Sequence, residues 1–188
     1  MDEGVLRIAT RDDADAIEAL MQDSIRSIFP AWYDQRQTAS ALVHVGHLDR
    51  MLVDDGTYYV IEEVGAADPL IACGGWSRRD RLYAGSGDHD GDARLLDPAT
   101  EPARVRAMFV RGDRTRRGLG TRILVACEDA ARAEGFRDLV LGATLPGIPL
   151  YERFGFVVTE PMIVTTPDGV DLEAAEMRRP IWDPLPAS

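Results

Sequence analysis

Between residues 104 and 122 the chain carries Arg104, Arg106, Arg111, Arg114, Arg116, Arg117 and Arg122 against one acid, Asp113, a local charge of +6 in a protein whose net charge is −11. The same stretch reads as a strand over 104–110, a tight turn, and a helix over 118–134 whose first turn holds Gly118 and Gly120. Glycine there lets a ligand approach the backbone, and the unpaired N–H groups of a first helical turn point toward it. Together with the helix dipole this makes an anion site suited to phosphate or pyrophosphate. Arg114, Arg116 and Arg117 offer guanidinium partners for further phosphate oxygens. A solvated arginine face is the competing reading of the same residues. A dinucleotide fingerprint needs glycine three residues after Gly120, where Ile123 stands. A Walker loop needs lysine, and the sequence has none.

Other chemistries are thinly represented. All 21 basic residues are arginine, and asparagine is absent as well, which excludes lysine Schiff-base chemistry and N-glycosylation. Cys73 and Cys127 lack metal-ligand spacing and read as small buried residues. His44 and His47 sit three apart on an expected helix, and His89 lies among Asp88, Asp90 and Asp92. These read as solvated or packed residues rather than a metal site. The aspartates miss the EF-hand pattern, since Ala93 holds its glycine position and Ala99 its bidentate position. No metal is expected.

The elements that must hold these residues follow from apolar spacing. A strand over 5–9 leads through Thr10, an expected N-cap with Asp12 and Asp13 behind it, into a helix on which Ile17, Leu20, Met21, Ser24, Ile25 and Ile28 share one face. A second helix covers 34 to about 47, and 57–64 with 70–76 form a hairpin. Residues 77–100, rich in Asp, Gly and Arg, read as a long loop. After the 118–134 helix, with Gly135 just past its end, come a strand over 139–143, a short helix over 147–154, and closing strands over 156–164 and 170–177. The order β-α-α-β-β-β-α-β-α-β-β makes one mixed α/β domain over 1–180, with 181–188 a loose tail. At 188 residues, 45% hydrophobic and 28% charged, the chain can bury one core. Its longest uncharged run, 139–151, is 13 residues broken by two Gly and two Pro, too short for a bilayer. With an acidic Asp2-Glu3 start, the expectation is a soluble cytoplasmic protein without general affinity for nucleic acid or anionic membrane.

The segment Thr115-Arg116-Arg117-Gly118-Leu119-Gly120 resembles motif A of the GNAT-type N-acetyltransferase superfamily, (Arg/Gln)-x-x-Gly-x-(Gly/Ala), with Thr115 replacing the first residue. About 30 residues on, Leu150-Tyr151-Glu152-Arg153-Phe154-Gly155-Phe156 resembles that superfamily's LYxxxGF signature. Thr144 and Gly147 stand where the family often has Asn and Ala. The resemblance is specific over 104–158. It implies a mixed, mostly antiparallel central sheet flanked by helices, with a V-shaped splay between the fourth and fifth strands. It further implies that acetyl-CoA lies in that splay, with the Phe109 and Val110 main chain along the pantetheine arm and Arg116, Arg117, Gly118, Leu119, Gly120 and Thr121 holding the pyrophosphate.

The implied chemistry is attack of a neutral primary amine of a small molecule or peptide on the thioester, through a tetrahedral intermediate. Tyr151 is the candidate acid for the leaving thiolate, or an aromatic that packs the short helix. Glu62 or Glu63 could accept the amine proton, one of that adjacent pair facing solvent. Trp32, Tyr33, Trp76 and Tyr83 could line an acceptor pocket or fill the core. Residues 1–103 hold 9 Arg against 20 acids, which favours a cationic acceptor by steering. A CoA-binding sensor or interaction module without turnover is the alternative from another class. Oligomeric state stays open, a homodimer being the commonest soluble assembly.

Overall fold

A computed structural model of the chain describes residues 4–80 and 93–181. Tyr83, His89, Asp88, Asp90 and Asp92, much of the expected 77–100 loop, and the expected tail from 182 onward lie outside the described residues. The strands are β1 (Val5–Ile8), β2 (Tyr58–Glu62), β3 (Leu70–Ser77), β4 (Ala103–Val110), β5 (Asp138–Thr144), β6 (Val157–Thr165) and β7 (Asp171–Pro180). They form one seven-stranded sheet in the order β1-β2-β3-β4-β5-β7-β6, antiparallel throughout except for the parallel β4–β5 pair. The α-helices are α1 (Ala14–Ile28), α2 (Gln35–His44), α3 (Arg50–Asp54), α4 (Leu119–Ala133) and α5 (Ile148–Phe154). No helix among the described residues is long and apolar enough to cross a membrane.

The expected order holds, with one helix added. Asp49 caps α3, its carboxylate accepting from the Met51 N–H at 3.1 Å, and Leu52 and Val53 are buried beneath it. Five residues are too few to show a helical period, so apolar spacing could not reveal this turn. The chain enters α1 through a short 3-10 turn, Arg11–Asp13. Asp13 accepts from the Thr10 N–H at 2.7 Å and its hydroxyl at 3.0 Å, and also from Arg7 at 2.7 and 2.8 Å. At the start of α2, Asp34 and Gln37 cap each other's N–H groups at 2.7 and 3.0 Å.

Helices cover both faces. On one, α4 and α5 bury Leu119, Ile123, Leu124, Cys127 and Tyr151 against Ile71, Val105, Leu139, Leu141 and Met177. On the other, α1 presses Ile17, Leu20 and Met21 onto Tyr58, Val60 and Cys73, each such burial contributing about 1.5–3 kcal/mol. Ile25, Phe29, Tyr33 and Ala41 close over Leu172 beyond β5.

The sheet is interrupted at its centre. β4 and β5 pair only at Ala103↔Leu139 and Arg104↔Val140, whereas β5 pairs with β7 along its whole length. The β3–β4 register shifts between Cys73↔Phe109 and Gly75↔Arg106, so β4 carries a bulge, with Ala107 at φ 50°. The buried Tyr58 hydroxyl donates to the Ala107 carbonyl at 2.7 Å and holds the bulge. Beyond it β4 bends away from β5, and the edge of β4 that faces the gap has no strand partner there.

Candidate active site

The gap opens a cleft of about 810 Å³ that passes through the sheet. On the α4/α5 face it is lined by Gly118, Leu119, Gly120, Thr121, Pro149, Leu150 and Tyr151. On the other face it is lined by Ser24, Ile28, Phe29 and Trp32 from the end of α1 and the turn after it, and by Val45 and His47 beyond α2. Met162, Val164, Leu172 and Ala174 of the β6–β7 hairpin complete the wall. Along the middle run Val105 to Val110, Phe109 among them.

The α4 end is built from backbone. Gly118 caps the helix at φ 78°, a left-handed conformation that strains any residue with a Cβ. Its carbonyl accepts from the Arg122 N–H at 3.0 Å, which leaves the N–H groups of Leu119, Gly120 and Thr121 without an acceptor in the helix. Gly120 lines the cleft and also sits under α5: a Cβ there would meet Leu150 Cδ2 at 2.7 Å.

The arginine stretch is largely paired. Arg104 donates to Asp80 at 2.9 Å, Arg106 to Asp49 at 3.2 Å, Arg111 to Asp113 at 2.7 Å, and Arg114 to Glu63 at 2.9 Å. Arg116 is exposed, has φ 63°, lines the cleft, and makes no ion pair or hydrogen bond among the described residues. Arg117 is exposed but does not line the cleft, so it stands apart from the other expected cofactor residues. Of this stretch Arg106, Arg114 and Arg116 line the cleft, the first two held by carboxylates, so it is not a uniform basic patch.

Tyr151 is 8% exposed, packs edge-on against Phe156 at 5.8 Å between ring centroids, and lines the cleft. The packing is that of the aromatic reading, and the place in the cleft wall keeps Tyr151 the candidate acid. Burial pushes its phenol above the ordinary range, so it stays protonated and a hydrogen-bond donor at neutral pH. The short helix that carries it is clamped from β7: the Arg179 guanidinium lies 4.3 Å above the Phe154 ring and donates to Glu128 of α4.

Glu62 and Glu63 do not reach the cleft. Glu62 accepts from Arg7 and Glu63 from Arg114, and neither lines the wall. His47 does line it, with Nδ1 3.9 Å from Glu18 Oε1, an oxygen that also accepts from the Leu48 N–H at 3.2 Å. Imidazole is the side-chain type suited to take up a proton near neutral pH. Nothing local in the sequence marks His47. Arg153, which also lines the cleft, falls inside the LYxxxGF stretch and was legible there. His44 lies instead 3.6 Å from Asp168. No cluster of three or more His, Cys, Asp or Glu among the described residues could hold a metal ion. The Cys73 thiol, buried beside Tyr58, is pushed up to about 12, and Cys127 is likewise pushed up by burial.

Of the four aromatic candidates, Trp32 lines the cleft and Trp76 is core, 5.9 Å from the Phe136 ring. Tyr33 donates to the Glu173 carbonyl at 2.6 Å and accepts from the Leu145 N–H at 2.9 Å, tying the end of β5 to the start of β7.

Comparison with known proteins agrees with this geometry. The chain is similar in structure to a GCN5-related N-acetyltransferase from Rhodopseudomonas palustris, with TM-score 0.68 and 19% identity over 96% of this chain and 97% of that one. It is similar to a GNAT superfamily phosphinothricin acetyltransferase from Sinorhizobium meliloti solved with AcCoA, with TM-score 0.62 and 18% identity over 99% and 92%. It is similar also to the paia N-acetyltransferase of Thermoplasma acidophilum solved with coenzyme A, with TM-score 0.61 and 12% identity over 94% and 98%. A comparison of the sequence with curated proteins finds no match. The family model of the acetyltransferase (GNAT) family matches residues 17–156, three-quarters of the chain and both faces of the cleft. By that match the chain belongs to the GNAT acetyltransferase family.

Proposed function

We propose that this protein is an acetyl-CoA-dependent N-acetyltransferase that moves an acetyl group directly to a primary amine of a small molecule or peptide. The observation that carries this reading is a cleft crossing the sheet, with unpaired amides of a helix N-terminus on one face and an imidazole on the other. The N–H groups of Leu119, Gly120 and Thr121, with Arg116, fit a pyrophosphate. The Phe109 and Val110 backbone lies along the unpaired edge of β4, where an amide-bearing pantetheine arm can take the place of β5. Bound acetyl-CoA supplies an activated thioester carbonyl.

Two residues then act on protons. His47 takes one from the attacking amine as the C–N bond forms, and Glu18 beside Nδ1 supports the imidazolium. The C–S bond breaks and its electron pair leaves on sulfur. Tyr151 donates a hydrogen bond to that sulfur; with its phenol raised by burial it keeps its proton rather than handing it over. Its contribution is charge stabilisation, in the manner of an oxyanion donor. Arg117, outside the cleft wall, would act on phosphates only through long-range charge.

Calorimetry with CoA, using ATP and NAD as controls, tests the binding half, and micromolar binding specific to CoA is expected. Release of free thiol from acetyl-CoA on adding amines tests the transfer half. A sensor without turnover would bind CoA and release no thiol with any amine.

A further inference from the structure

The acceptor face of the cleft has a composition that selects among amines. Its wall is mostly apolar, Phe29, Trp32, Val45, Met162, Val164 and Leu172, with Ser24 and His47 the polar members. Among the described residues no aspartate or glutamate lines the cleft anywhere, while Arg106, Arg114, Arg116 and Arg153 do. Asp49 is paired with Arg106 and Glu63 with Arg114, and Glu18, 3.9 Å from His47 Nδ1, does not itself line the cleft. An ammonium group moved into this wall would give up its water and meet apolar surface with no carboxylate lining it among the described residues. That cost falls once on any amine and helps chemistry, because the reactive amine is neutral. It falls again on every additional cationic group, where it helps nothing. The rest of the acceptor must therefore match the wall. Trp32 is 47% exposed and lines the cleft, and Met162 of the β6–β7 hairpin adds a flexible apolar side chain to the same lining.

We infer that the acceptor is an apolar monoamine, a single primary amine on an aromatic or branched-alkyl skeleton seated between Trp32 and the β6–β7 hairpin, and that polyamines are discriminated against. This rests on the acetyltransfer reading above. It departs from the cationic acceptor that the charge of residues 1–103 suggests, because among the described residues none of those acids lines the cleft.

The test uses the full chain and begins with CoA calorimetry, whose failure would remove the transfer reading itself. With CoA binding established, kcat/KM is measured for phenethylamine, isoamylamine and spermidine. Binding of phenethylamine to the enzyme–CoA complex is followed separately by calorimetry. Phenethylamine and isoamylamine are expected to exceed spermidine by about a hundredfold, the ratio of one uncompensated charge. Trp32→Ala should raise the phenethylamine KM and its dissociation constant from the CoA complex about tenfold, with CoA affinity unchanged. Spermidine used as well as phenethylamine overturns the inference while leaving acetyltransfer standing. So does a CoA complex that neither binds nor acetylates phenethylamine, and so does a Trp32→Ala variant with unaltered phenethylamine binding.

Discussion

The two walls of the cleft face one another but are made of different material. The α4 wall is backbone: three unpaired N–H groups, a left-handed Gly118, and a Gly120 that admits Leu150. The acceptor wall is side chain, gathered from the end of α1, the turn beyond α2, and the β6–β7 hairpin. A backbone wall tolerates few residue types, since only glycine takes φ 78° without strain or lets two helices touch. A side-chain wall asks only for apolar groups of suitable size, which many sequences supply. The first therefore carries a motif and the second does not.

This contrast predicts how each wall fails. The largest effect belongs to the side-chain wall. His47→Gln should lower kcat by about 10²–10⁴-fold with CoA affinity unchanged, as loss of a general base does. If kcat survives, the proton is taken elsewhere. Tyr151→Phe, at the seam of the two walls, should cost about 10²–10³-fold in kcat, again without weakening CoA binding in calorimetry. Gly118→Ala acts on the backbone wall. The left-handed cap then costs about 1–2 kcal/mol, and CoA binding should weaken roughly tenfold while kcat at saturating acetyl-CoA stays near that of the parent protein. Equal losses in kcat and affinity would blur the distinction between the walls.

The smallest effect tests the support beneath the acceptor wall, since α1 carries Ile28 and Ser24 into it. Asp13→Asn should lower Tm by about 2–4 °C at neutral pH, the loss of a cap worth about 1 kcal/mol. The Arg7 guanidinium, first, and the Thr10 N–H hold the Asp13 carboxyl at about 2, below the ordinary value near 3.9. A depressed carboxylate stabilises the fold above the unfolded-state value and loses that contribution as pH falls through the folded one. The Tm gap between the two proteins should thus be full above about pH 4 and close toward pH 2. A gap that widens in acid would show that Asp13 does not hold the helix through its charge.

Much of this was readable from residues alone. The apolar face of α1, the strand pairs, Gly135 at the end of α4, and the two motifs over 104–158 are all local patterns, and the structure repeats their order. The ends of elements moved by a residue or more, because apolar spacing says little about where a hydrogen-bond ladder stops. Glu62 and Glu63 were reasonable bases by type. Which way they turn depends on Arg7 and Arg114, residues distant in the chain.

What the sequence determined by itself was the place of a glycine-bearing helix start and the family to which the chain belongs, since both rest on glycines and caps read within a few residues of one another. Tertiary structure alone decided that Tyr33 ties Glu173 to Leu145, that Glu63 turns onto Arg114, and that His47 rather than a glutamate faces the cleft. Those outcomes come from contacts between residues distant in the chain, such as the 140 that separate Tyr33 from Glu173 and the 51 between Arg114 and Glu63. Composition near a residue carries no record of what the fold will bring to it. The physical reason is that backbone geometry constrains residue type at a position, whereas packing constrains only the sum of what meets there.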